Sequence, residues 1–134
     1  MSRVVYNPAV RRVGDNVVEG IAGTDGRVVM GPKGTPNSFT PVELLLIAIG
    51  GCSGIDLCSL SQRDGLEVGA LELKLRGSKP IDANRLDRIS IEYSVPAAAP
   101  ADVARLVAEV RGLCTVALTV TEGCTVQDAL VGQR

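Results

Sequence analysis

Residues 38–56 read SFTPVELLLIAIGGCSGID, and this stretch decides the fold. Thr40 is a helix-capping residue type, Pro41 suits the first helical position, where a missing N–H costs nothing, and Glu43 stands where it can close a capping box. From Leu44 to Ile49 every residue is apolar, so this turn and a half has no face for water and is expected to be surrounded by protein. Gly50 and Gly51 then cost a helix about 1 kcal/mol each relative to Ala. Such a cost fits a close approach by another backbone or a ligand, and equally fits tight packing of the helix itself. Cys52 follows directly. The stretch 44–60 is interrupted by Asp56, preceded by Glu43 and diluted by Gly50, Gly51 and Gly54, so it reads as a buried core helix and not as a membrane span.

Upstream of this helix the chain reads as β. Val17, Val18 and Ile21 lead into Thr24-Asp25-Gly26, and Arg27-Val28-Val29-Met30 follows, so two short strands are expected around a turn in which Asp and Gly tolerate positive φ. Residues 31–39 (GPKGTPNSF) have loop composition. Downstream, the central helix is expected to end near Asp64-Gly65. Leu71, Leu73 and Leu75 alternate with polar residues, as do Ile89, Ile91, Tyr93 and Val95, giving two strands that each bury one face. Their connection, residues 77–87, is too long for a tight hairpin and is expected to form a mobile flap. Val103, Leu106, Val107 and Val110 recur at helical spacing up to Gly112, and Cys114 lies just past that helix end. Residues 114–120 are open between strand and helix, while 125–131 suit a terminal strand. The order β-β-α-β-β-α-(α or β)-β is an α+β pattern, and no GxGxxG or GxxxxGK[ST] run is present.

Composition removes several function classes. The 134 residues suit a single domain. Charge is balanced, with 14 Lys+Arg against 15 Asp+Glu, and aromatic residues make up 2% of the chain, so a nucleic-acid partner is not expected. The absence of His removes Ser-His-Asp and Cys-His catalysis and His-ligated metals. Any chemistry must run on Cys, carboxylates, Lys or Arg. Hydrophobic residues at 46% with so few aromatics imply an aliphatic core and surface buried against another chain. The start MSRVVYNPAVRR carries no apolar targeting segment, so a cytoplasmic location without membrane association is expected.

The four cysteines are then read as reduced thiols. No CxxC pair occurs: Cys52 and Cys58 are six apart and Cys114 and Cys124 ten apart, so neither a metal nor any other cofactor is expected. Cys58 points about 240° around the helix from Cys52 and reads as a small core residue. A thiol beside two glycines in a buried helix, with a second thiol at the boundary of another, suits redox chemistry, because helix N-termini and nearby Arg lower thiol pKa values.

The run 38–56 resembles the central-helix motif of the OsmC/Ohr family, and its Gly50-Gly51-Cys52-Ser53-Gly54-Ile55-Asp56 form is most similar to the YhfA-like branch. Cys114-Thr115-Val116-Ala117-Leu118 resembles that family's second-cysteine motif. The resemblance implies one domain over residues 1–134, with an antiparallel six-stranded sheet wrapped around a long central helix in an intertwined homodimer. It also implies a thiol-dependent peroxidase that reduces organic hydroperoxides, and hydrogen peroxide, in oxidative stress defence. Cys52 matches the peroxidatic position and Cys114 the resolving one, with a dithiol reductant as partner. The family's activating Arg lies upstream of the helix, where Arg27 is the candidate and Lys33 the other cation. The family's Glu is displaced, with Val42 at its position and Glu43 one residue on; Glu43 reads as a helix cap, and Asp56 as a polar group at a dimer contact. The alternative from another class is a non-catalytic dimeric binding protein of the same fold, holding an apolar ligand near Cys52.

Overall fold

The computed structural model describes residues 2–132. The elements are β1 (Ala9–Arg12), β2 (Val18–Ile21), β3 (Arg27–Met30), α1 (Pro41–Arg63), β4 (Glu72–Ser78), β5 (Arg88–Ser94), α2 (Pro100–Arg111) and α3 (Thr115–Glu122). The chain divides between Leu46 and Ile47 into two units.

In the N-terminal unit, β1, β2 and β3 form an antiparallel meander in sequence order. The pairing of β2 with β3 sets Val18 opposite Met30 and Ile21 opposite Arg27. The expected Asp-Gly turn closes them: Ala22 N–H donates to Gly26 O at 2.9 Å, and Asp25 takes φ 63°, a left-handed conformation that Asp tolerates. β1 was not expected, and its four residues are all exposed, so no buried face marks it in the sequence. Phe39 N–H donates to Val29 O and Gly31 N–H to Phe39 O, both at 3.0 Å, which ties the 31–39 loop back to β3 and delivers the chain to α1. There the capping box is reciprocal: Thr40 N–H donates to Glu43 Oε1 at 3.0 Å and Glu43 N–H to Thr40 Oγ1 at 3.1 Å. These bonds to the Thr40 amide and hydroxyl hold the Glu43 carboxyl below its ordinary pKa.

The C-terminal unit carries the core. β4 and β5 pair antiparallel, with Leu73 opposite Tyr93 and Leu75 opposite Ile91, so the alternating apolar residues fall on one face as their spacing predicts. In the loop between them Asp87 N–H donates to Ser78 O at 3.0 Å and Lys79 Nζ to Ala83 O at 2.9 Å. Ile49 and Leu57 from α1, Leu106 and Val110 from α2, and Cys114 and Ala117 around the start of α3 form one buried cluster. Gly50 lies close under β4: a Cβ there would lie 2.7 Å from Leu75 Cδ2, so the Leu75 side chain would have to shift. Of residues 114–120, open between strand and helix in the sequence, 115–120 are helical, within α3.

Two features of the single chain bear on the expectations. The start of α1 is not enclosed by its own chain. Its buried residues Ile49, Ser53, Leu57 and Ser61 recur every four residues, whereas Ile47 and Ile55, on the opposite side at 100° per residue, are 48% and 69% exposed. The helix is apolar on both sides and one chain covers only one of them. By length and composition it is also long and apolar enough to cross a membrane, with an 18-residue window of mean hydropathy 1.8, as a core helix can be. The other is a correction: residues 125–131, expected as a strand, form none. Val126, Leu130 and Val131 are 82–93% exposed, and a β-branched run without a neighbouring edge has nothing to pair with. Five strands in two antiparallel sheets are present among the described residues of the single chain.

Candidate functional site

Cys52 and Cys114, 62 positions apart, are brought together in the C-terminal unit. Helix α1 carries Cys52 on its flank and Ser53 on the buried stripe. Helix α2 ends at Gly112, whose N–H donates to Glu109 O, and Cys114 N–H donates to Val110 O at 2.9 Å; this turn sets Cys114 as the N-cap of α3. The Cys52 and Cys114 sulfurs and an Asp56 carboxylate oxygen all lie within 4.8 Å of one another. Cys52 Sγ is 3.9 Å from Asp56 Oδ2, one helical turn on. Cys52 and Asp56 are half-buried and Cys114 is fully buried.

A hydrogen-bonded chain approaches Cys114 from α2. The Arg111 guanidinium donates to Ser53 Oγ at 2.6 Å and to the Tyr93 hydroxyl oxygen at 3.1 Å. Ser53 Oγ lies 3.5 Å from Cys114 Sγ. Because Arg111 has only protons to give, Ser53 accepts from it and its own hydroxyl proton is free for the sulfur. Ser53 is fully buried with both bonds made, so the relay is fixed in place.

The two thiols are tuned in opposite directions. Burial pushes the Cys52 thiol above its ordinary pKa; the Val116 amide works against this, while Cys114 and the Asp56 charge add to the rise. Burial acts upward on Cys114 as well, but the Ser53 hydroxyl, the Ala117 amide and the Cys52 thiol together outweigh it, and Cys114 sits below its ordinary value. The Ala117 amide makes no full cap bond to the sulfur. Its influence is that of an unpaired helix N-terminal N–H near a forming negative charge.

A cavity of about 280 Å³ lies among β5, α1, α2 and α3; Arg111 lines it, and neither Cys52 nor Cys114 does. Ile49, Ile89, Ile91, Val107 and Val120 make apolar walls, and Arg111, Tyr93 and Thr121 are its polar groups. Arg111 therefore faces the cavity and, through Ser53, the Cys114 sulfur.

Arg27, the cation expected from sequence, lies on β3 in the N-terminal unit, where its guanidinium donates to Glu19 Oε1 at 2.9 Å. Glu19 also accepts from Arg11 across the β1–β2 pair at 3.2 Å. Cys58 is half-buried and Cys124 exposed; all four cysteines are free thiols. Sequence reasoning missed Arg111, Ser53 and Tyr93 as partners of the thiols. Two of them are signalled by position alone, Ser53 next to Cys52 and Arg111 three residues before Cys114.

The family model described as OsmC-like protein matches residues 34–127, well over half of the chain and inclusive of both cysteine motifs. The chain belongs to the OsmC-like family. Solved structures agree on the fold of this OsmC-like chain. A hypothetical protein from Aquifex aeolicus VF5 is 21% identical with a TM-score of 0.80, over 90% of this chain and 89% of that one. An OsmC-like protein from Mycoplasma pneumoniae is 16% identical with a TM-score of 0.79, over the same shares of the two chains. A protein from Legionella pneumophila described as an organic hydroperoxide resistance protein OsmC and predicted redox protein is 9% identical with a TM-score of 0.66, over 88% of this chain and 91% of that one. No curated protein matches.

Proposed function

We propose that this OsmC-like chain is a thiol-dependent peroxidase for organic hydroperoxides that works through Cys52 and Cys114. The observation that carries this reading is the approach of two thiols from distant parts of the sequence to within 4.8 Å, with the cavity-lining Arg111 guanidinium linked to Cys114 through Ser53.

The roles follow from accessibility and charge. Cys52 is the more exposed thiol and meets the peroxide; Cys114, fully buried and held toward its thiolate, is the resolving nucleophile. The Cys52 thiolate attacks the terminal oxygen of ROOH, the O–O bond breaks, RO⁻ leaves and takes a proton to become ROH, and Cys52 becomes a sulfenic acid. The Cys114 thiolate then attacks the Cys52 sulfur, an S–S bond forms, and hydroxide departs and is protonated to water. The sum is ROOH plus two thiols giving ROH, water and a disulfide, which an external dithiol returns to the reduced state.

The developing alkoxide needs a cation. Arg111 is the guanidinium that lines the cavity, and we assign it this task; Arg27, engaged with Glu19, holds the N-terminal sheet together in this reading. Two copies are proposed to pair through the uncovered side of α1, around Ile47 and Ile55, as the family resemblance implies.

The test is turnover of cumene hydroperoxide to its alcohol with dithiothreitol as reductant. Cys52→Ser should abolish turnover, Arg111→Ala should lower it by about 10²-fold or more, the loss seen when one donor to a developing oxyanion is removed, and Arg27→Ala should change it little. No turnover by the unmodified protein would refute the peroxidase and favour the non-catalytic binding protein, for which the cavity is the feature to fill.

A further inference from the structure

Asp56 is the group that peroxide chemistry leaves unexplained. Its carboxylate oxygen lies within 4.8 Å of both thiol sulfurs. Among the described residues it forms no ion pair, and its hydrogen-bond partner is the Cys52 thiol itself. A divalent cation at the centre of the three groups would give two thiolates and a carboxylate one shared positive partner.

We propose that Cys52, Asp56 and Cys114 form a binding site for a thiophilic divalent cation, Zn²⁺ in the first instance. The ligand types select the metal: thiolates reject Mg²⁺ and Ca²⁺, and zinc accepts mixed sulfur and carboxylate ligands. The geometry is close to what zinc needs. With Zn–S about 2.3 Å and Zn–O about 2.1 Å, a tetrahedral centre sets its S and O ligands about 3.6 to 3.8 Å apart. Cys52 Sγ and Asp56 Oδ2 are already at 3.9 Å, and no pair of the three ligand atoms is separated by more than 4.8 Å. The frame is rigid, since two ligands are one turn apart on α1 and the third is the first residue of the turn into α3. Three protein ligands leave the fourth position open to water or to a small thiol. His is not required, so the absence of His from the chain does not weigh against the site. A disulfide has no thiolate to offer, so metal binding and oxidation of this pair exclude each other. The site binds or fails to bind zinc whether or not the protein turns over peroxides.

Reduced, metal-free full-length protein should take up one Zn²⁺ per chain in competition with a chromophoric chelator. Co²⁺ should give sulfur-to-cobalt charge-transfer absorption together with the intense visible bands of tetrahedral coordination. Cys52→Ser and Cys114→Ser should each remove the one-equivalent binding. Asp56→Asn, an isosteric change at a half-buried position, should weaken it at least about tenfold, the lower bound for loss of even an outer-shell partner. Cys58→Ser and Cys124→Ser should leave it unchanged, and protein oxidised to the Cys52–Cys114 disulfide should bind none. The proposal is overturned if the reduced protein takes up no zinc, if Asp56→Asn binds as tightly as the unmodified chain, if removal of Cys58 or Cys124 abolishes uptake, or if Co²⁺ shows no sulfur charge transfer.

Discussion

The disposition of Cys52 and Cys114 comes down to which hydrogen-bond donors reach which sulfur. Arg111 occupies the Ser53 oxygen, which turns the Ser53 proton toward Cys114 and favours its thiolate. Ser53→Ala should therefore raise the pH at which Cys114 becomes alkylatable, read residue by residue by mass spectrometry over a pH series; no shift would mean that the hydroxyl does not act on the sulfur. The opposite sign applies to Cys52. Its thiol is pushed above the ordinary value, so its thiolate fraction near neutrality is small and grows with each increase in pH toward that raised value. Single-turnover oxidation of Cys52 should accelerate steadily from pH 6 to about 9, and a rate that is flat over this range would show that another cation has already ionised it. The two cysteines were legible in the sequence because each sits in its own motif, GGC and CTVAL. The Arg111–Ser53–Cys114 relay was not, because it exists only once the end of α2 lies against the buried stripe of α1. Spacing reports neighbours on one element and is silent about which elements touch.

The same division holds for helices and strands. The capping box, the end of α1 near Asp64-Gly65 and the one-faced alternation of β4 and β5 were readable, since each is written in local spacing. β1 was not, because an exposed strand has no apolar alternation, and residues 125–131 misled because strand propensity needs an edge to pair with. The adjacent glycines of α1, indistinguishable in sequence, are distinct in packing. Gly50→Ala places a methyl 2.7 Å from Leu75 Cδ2 and should destabilise the fold by about 1–3 kcal/mol, the usual cost of overpacking. Gly51 has no atom of the chain near its missing Cβ, so Gly51→Ala should stabilise an isolated chain by about 0.5–1 kcal/mol through helix propensity. Denaturant titration of both variants measures the contrast, and equal effects would contradict it. At the far end of α1, Asp64 accepts from Arg63 and Arg105, and Glu109 from Arg63, linking α1 to α2. Both carboxyls are held below their ordinary pKa values by these guanidinium bonds. The stabilisation is thus full above the unfolded carboxyl range near pH 4 and is lost as pH falls through the lower folded values. Asp64→Asn should flatten the decline of Tm on acidification, and an unchanged decline would remove this cluster from the account.

In the C-terminal unit one side of α1 is bare. Ile47 and Ile55, with exposed Gly51 between them, present an apolar strip on the face opposite the core. A second copy is the proposed cover, so Ile55→Asp should convert a dimer to a monomer in sedimentation analysis, and a monomeric unmodified protein would refute the pairing. Above that stands the central claim, that Cys52 and Cys114 act as one redox pair. One equivalent of cumene hydroperoxide mixed with fully reduced protein, followed by disulfide mapping, tests it most directly. The account predicts loss of two thiols per chain, release of one cumyl alcohol and a Cys52–Cys114 disulfide faster than free thiol reacts. A disulfide that instead engages Cys58 or Cys124, or oxidation no faster than that of free thiol, would contradict it.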